Sequence, residues 1–211
     1  MPLRLHVIPS WLPWIFSQRL WTGTPIGPTG RKQVYLTFDD GPIPEITPWV
    51  LRQLKAHDAK ATFFCIGENV LRHPEVFEQI RQQGHQIGNH THHHLCDGRV
   101  TDESYQNSIT AFEEKTGLNL PLFRPPYGRL NRQNAQWLRR KGYKIVMWHL
   151  LCYDWDNNIS KEKSLKKVLD HIKPGSIIVL HDSLKAQKKM TWLLPRLLTH
   201  LSARGYQCAR L

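Results

Sequence analysis

The chain of 211 residues predicts an α/β fold in which parallel strands are wrapped by helices. Three observations carry that expectation. Strand-like and helix-like segments alternate strictly from Val34 to the C-terminus, the pattern of parallel strands with crossover helices. Each cluster of chemistry-bearing polar residues falls directly after a strand. The length suits one well-buried domain, a barrel or an open sheet, better than two. In such barrels the strand C-termini share one mouth, so clusters far apart in sequence converge there.

The elements run in order. Val34–Phe38 is a buried strand, stopped by the Gly41-Pro42 turn. Thr47–His57 has Val50, Leu51 and Leu54 at helical spacing with Pro48 in its first turn. Lys60–Ile66 is the second strand, Pro74–Gln83 a helix ended by Gly84, and Gln86–Gly88 a short third strand. Asp102–Thr116 is a helix closed by Gly117, and Leu120–Phe123 is a strand. Asn131–Lys141 is the next helix, and Tyr143–Leu151 the most apolar strand. Ser160 caps a helix reaching about Ile172, Ser176–Leu180 is a strand, and a helix through Leu193–Leu201 precedes a last strand at Tyr206–Arg210. That makes seven strands.

Residues 1–30 form a Trp- and Pro-rich segment expected to pack on the single domain formed by residues 31–211. No run in that opening segment is long and apolar enough to span a bilayer, and no signal peptide is legible. A second reading of it is a peripheral contact in which Trp11 and Trp14 dip into a membrane interface. The net charge of +12 is spread over predicted helices without the aromatic-interleaved stripe of a nucleic-acid binder, so no nucleic-acid partner is expected. Cys65, Cys96, Cys152 and Cys208 show no CxxC spacing, Cys65 and Cys208 lie in apolar runs that suit a reduced, buried thiol, and no disulfide is assigned.

Two features point to chemistry. Asp39 and Asp40 stand together at the tip of a core strand, where one acid can bind a metal while the other acts as a base. His90 and His94, four apart in a turn-like loop, can share one ion with Asp40 as the carboxylate. Two imidazoles and one carboxylate leave coordination positions open, as in a catalytic site. His92 and His93, between them, are read as groove or surface residues.

With these residues in view, five ordered motifs resemble those of the polysaccharide deacetylases, carbohydrate esterase family four. They are Thr37-Phe38-Asp39-Asp40-Gly41-Pro42, His90-Thr91-x-x-His94, Arg124-Pro125-Pro126-Tyr127-Gly128, Asp154-Trp155 and Ile178-Val179-Leu180-His181-Asp182. The resemblance runs from about Val34 to the C-terminus. It implies a distorted (β/α)7-8 barrel that removes the N-acetyl group from N-acetylglucosamine-containing chitooligosaccharide or peptidoglycan. It further implies that Asp40, His90 and His94 hold a divalent metal, zinc first, with cobalt, nickel or manganese as substitutes. Asp39 becomes the general base paired with Arg124, and His181 the general acid oriented by Asp154. The oxyanion and substrate fall to Tyr127, Pro126, Trp155 and Leu180.

Taken singly, Arg124 also reads as a surface residue in a rigid turn, Asp154 as a loop cap, and His181 as a satisfied core histidine. An O-acetyl esterase acting on acetylated xylan or another glycan, and a catalytically silent glycan-binding domain, are the alternative functions. Leu151 stands where the family's fourth motif often carries an acid, which bears on groove polarity rather than on the reaction. A monomer is expected; the compartment is cytoplasmic by default, or exported and envelope-associated by resemblance.

Overall fold

The computed structural model describes residues 5–211. Its sheet contains eight strands, each paired in parallel: β1 (Lys32–Asp39), β2 (Ala61–Cys65), β3 (Gln86–Asn89), β4 (Leu122–Phe123), β5 (Lys144–Ile145), β6 (Leu150–Leu151), β7 (Ile177–His181) and β8 (Tyr206–Cys208). The order across the sheet is β5-β4-β3-β2-β1-β7-β6, with β8 beside the start of β1. The sheet is a curled, distorted (β/α)7-8 barrel with helices around it. They are α1 (Trp11–Ile15), α2 (Thr47–Ala56), α3 (Gly67–Arg72), α4 (Pro74–Gln82), α5 (Asp102–Thr116), α6 (Arg132–Arg140), α7 (Lys161–Leu169) and α8 (Leu184–Ala203).

Strand alternation sets what each side chain sees. On β1, Val34, Leu36 and Phe38 join the main core with Val50, Leu51 and Leu54 of α2 and the leucines of α8. The residues between them take the other face: Tyr35 packs with Phe64, Val146 and Ile177, and Thr37 and Asp39 meet Arg124. Caps follow their residue chemistry. The side chains of Thr101, Asn131 and Ser160 each accept a backbone N–H at a helix start, and Gly117 closes α5 at φ 67°.

The expected strand Tyr143–Leu151 is two strands, which raises the count from seven to eight. β5 pairs with β4 and β6 with β7, so this apolar run crosses from one edge of the open sheet to the other. An unbroken hydrophobic run reports burial and carries no information about a change of partner. The N-terminal segment bridges the crossing. Val7 pairs antiparallel with Leu150, Ile8 N–H donates to His149 O at 3.0 Å, Leu20 N–H to Ile145 O at 2.8 Å, and Met147 N–H to Leu20 O at 2.7 Å. Two short helices, α1 and α3, are additions to the expected set, and α8 begins at Leu184 and continues through Pro195, well before the expected Leu193. β4 and β8 are shorter than expected. The four cysteines are buried and free.

Candidate active site

At the end of β1 the chain turns through Asp40, whose φ of 81° lies in the left-handed region that a non-glycine residue seldom adopts. Thr91, His94 and Tyr127 share that conformation at 64°, 52° and 59°. Four of the six positive-φ non-glycine residues among those described thus belong to the loops around one cavity, where backbone strain tends to collect. The Asp40 loop is tied down from beneath. Asn69 Nδ2 donates to Asp40 O at 2.8 Å, Gly41 N–H donates to Asp182 Oδ1 at 3.1 Å, and Thr47 Oγ1 donates to Asp182 Oδ2 at 2.5 Å. Asp182 is fully buried, and burial pushes its carboxyl up to about 8. In the sequence it stands only as the last residue of the Ile178–Asp182 motif.

The His loop brings two imidazoles to the Asp40 carboxylate. Asp40 Oδ1 lies 3.3 Å from His94 Nε2 and 3.7 Å from His90 Nε2. His90 Nδ1 lies 2.8 Å from Arg124 O, and a carbonyl can only accept, so Nδ1 carries the proton and Nε2 presents its lone pair toward Asp40. Burial resists ionisation of Asp40, yet the His94 hydrogen bond and the nearby charge of His181 hold its carboxyl well below the ordinary carboxylate range. Two imidazoles beside an ionised carboxylate fit a divalent cation, with coordination positions left for substrate.

Glu68, His92 and His93 form a second such group. His92 is buried, not on the groove or surface as expected, and its Nδ1 has no partner and packs against Gly67. Metal binding through the other ring nitrogen would place an unpaired N–H there, so this donor set fits an ion less well.

Asp39 is held differently. Arg124, fully buried, donates from Nη1 to Asp39 Oδ1 and to Thr37 Oγ1, each at 2.7 Å, and from Nη2 to Met147 O at 3.0 Å. Its guanidinium lies over the Phe64 ring, 4.1 Å from the centroid. Arg124 is therefore no surface residue of a turn. Asp154, also buried, accepts the backbone N–H of His181 at 2.7 Å through Oδ2 and faces His181 Nδ1 at 2.9 Å through Oδ1. Burial alone would lower the His181 imidazole, but the charge and hydrogen bond of Asp154, with Asp40 and Asp39 further off, raise it to about 9. The imidazole is thus protonated at neutral pH.

Asp39, Asp40, His90, His94, Tyr127, Trp155 and His181 all line one cavity of about 370 Å³. Arg124 and Asp154 stand behind it, each holding a lining residue. Two expected substrate contacts do not line this cavity. Leu180 is fully buried in the main core, because its strand parity turns it toward the helices, and Val179 beside it lines the cavity. Pro126 is likewise buried, and Pro125 lines the cavity in its place. Trp148, Leu151, Gly128, Ser183 and Lys185 complete the wall and were not singled out as substrate contacts from the sequence. A Cβ on Gly128 would lie 2.5 Å from Trp148, so this close approach requires glycine, the one signal in the sequence that could have revealed the contact.

The model of the family described as polysaccharide deacetylase matches residues 26–146. A peptidoglycan-N-acetylglucosamine deacetylase of Bacillus cereus is 37% identical over 185 residues, covering 85% of this chain and 86% of that relative. Another relative from the same organism, with the same name, is 36% identical over 178 residues; they cover 82% of this chain but 64% of the relative's length. Among solved structures, the Bc1960 peptidoglycan N-acetylglucosamine deacetylase, in complex with a naphthalenyl N-hydroxybenzamide, superposes with a TM-score of 0.84 at 31% identity, covering 97% of this chain and 95% of that one. The chain belongs to the polysaccharide deacetylase family.

Proposed function

We propose that this chain is a metal-dependent N-deacetylase of N-acetylglucosamine-containing glycans, with peptidoglycan or chitooligosaccharide as substrate. The observation that carries the reading is the pairing pattern in one cavity: a carboxylate clamped by a buried arginine, and an imidazole clamped by a buried aspartate, beside an Asp40–His90–His94 donor set. Asp40, His90 and His94 would hold the ion, zinc by the chemistry of the donors, with cobalt, nickel or manganese as substitutes. When bound, such an ion supplies a Lewis acid that polarises the acetyl carbonyl and acidifies water.

The chain's own groups do the rest. Asp39 takes a proton from the attacking water as its oxygen bonds to the acetyl carbon. Arg124 keeps that carboxylate aimed. The N–H of Tyr127, which meets no backbone acceptor among the described residues, donates to the developing oxyanion. His181 delivers its proton to the nitrogen as the carbon–nitrogen bond breaks, since an amine leaves poorly as an anion. Acetate and the free amine result. Trp155, its ring 4.4 Å from that of His181, and Trp148 offer flat apolar walls to a sugar ring. Leu151 and Val179 make that wall apolar where an acid would have charged it.

The test is acetate release from chitooligosaccharide and peptidoglycan fragments in the presence of zinc or cobalt, with acetylated xylan run in parallel. Release from the amide substrates that disappears in Asp39→Asn is expected. Preference for acetylated xylan would instead select an O-acetyl esterase, and no release from any of them would leave a silent glycan-binding domain.

A further inference from the structure

Helix α1 buries none of its five residues. Trp14 is 86% exposed, Ile15 62% and Trp11 59%, and Phe16 next to them is exposed as well. Large apolar side chains scattered singly over a surface are ordinary, but a contiguous set is a recognition surface. This set is displayed on a fixed base. Leu12 packs against the cluster around Trp21 and Tyr105, the Trp21 indole N–H donates to Phe16 O at 3.1 Å, and the flanking residues Ile8 and Leu20 are hydrogen-bonded to the barrel.

The rim of the patch is cationic. Ile15, Phe16 and Leu130 share a cleft of about 490 Å³ with Arg19, Arg132 and Arg139. Arg19 stacks on the Phe16 ring, 4.5 Å from its centroid, and donates to Leu130 O at 3.0 Å. Burial, and then repulsion from Arg139, lower its affinity for its proton. Arg132 and Arg139 are exposed, and neither meets a carboxylate within salt-bridge distance among the described residues. Three guanidinium groups gathered with no carboxylate in salt-bridge contact among the described residues, Asp97 acting on Arg19 only from further off, on a chain of net charge +12, call for an anionic ligand. The aliphatic side chain of Ile15 offers no hydrogen bond to a sugar, while a lipid interface takes aliphatic and indole groups together.

We propose that this face docks the protein on an anionic phospholipid surface: Trp11, Trp14 and Ile15 enter the headgroup–acyl boundary and Arg19, Arg132 and Arg139 meet lipid phosphates. Leu130 lies two residues beyond Gly128 of the catalytic cavity's wall, so docking would set that wall near the membrane plane. The inference stands on this patch alone and does not depend on the reaction assigned to the cavity.

Co-sedimentation with vesicles of phosphatidylglycerol and phosphatidylcholine, against vesicles of phosphatidylcholine alone, tests it. The wild-type chain should partition onto the anionic vesicles, and less so as salt rises. Trp11→Ser with Trp14→Ser should weaken that partitioning on the order of tenfold or more, with unchanged thermal melting because both side chains are exposed. Arg132→Gln with Arg139→Gln should weaken it roughly thirtyfold on anionic vesicles only. Equal partitioning onto both vesicle types, or partitioning indifferent to both double variants, would overturn the proposal. So would a tryptophan variant that instead loses binding to insoluble glycan or loses self-association in sedimentation equilibrium.

Discussion

Asp39 and Asp40 are neighbours in the chain, yet one faces a buried guanidinium at 2.7 Å and the other two imidazoles at 3.3 and 3.7 Å. Under the proposed function that division of partners separates a base from a ligand, and their substitutions should behave differently. Asp39→Asn should retain bound metal and lose about 10²–10⁴-fold in turnover, checked by metal analysis alongside acetate release. His94→Ala should lose the metal itself. Arg124→Met should destabilise the fold by about 3–5 kcal/mol, because it leaves the Asp39 carboxylate buried and unpaired; denaturant melts read this directly. As the proposed acid, His181 acts while protonated, so activity should fall as pH rises through about 9. Asp154→Asn removes the main influence raising that imidazole, and the alkaline limb of the pH–rate profile should move to lower pH. The identities of these residues were legible in the sequence because their types and order are constrained by chemistry. Leu180 and Pro126 stand off the cavity wall, and a motif does not reveal which neighbour turns inward; strand parity and the bend at Tyr127 decide that.

At the scale of elements, the strands and longer helices were readable from hydrophobic period and caps, and Asp102–Thr116 agrees at both ends because Thr101 and Gly117 mark it on either side. What escaped was a matter of partners. The β5–β6 run looks like one strand since both halves are buried, and only the pairing with β4 and then β7 divides it. The residues opposite that division come from the N-terminal segment, which therefore contributes backbone hydrogen bonds to the barrel as well as Trp21 to a core cluster. Trp21→Ala should cost about 3–5 kcal/mol, as expected for emptying a large buried site; a loss under 1 kcal/mol in a chemical denaturation experiment would show the segment to be peripheral to the fold.

For the molecule as a whole, ionisation couples the site to stability. Without metal, burial holds His90, His85 and His149 down near 4, so each adds stability as pH rises from about 4 to 6.5. His181, raised to about 9, and Asp182, raised to about 8, act in the opposite sense: both bind protons more tightly in the folded chain, so their contribution is lost as pH rises through those values. The metal-free protein should therefore be most stable near pH 6.5 and weaken toward pH 9 in thermal melts, and added zinc should raise its melting temperature by binding the folded state alone. The proposed function rests on a single ion gathered by Asp40, His90 and His94. An anomalous-scattering map of zinc-soaked crystals tests that claim most directly. One strong peak about 2.0–2.2 Å from Asp40 Oδ1 and from the Nε2 atoms of His90 and His94 is the expected result; no peak there, or a peak instead among Glu68, His92 and His93, would contradict it.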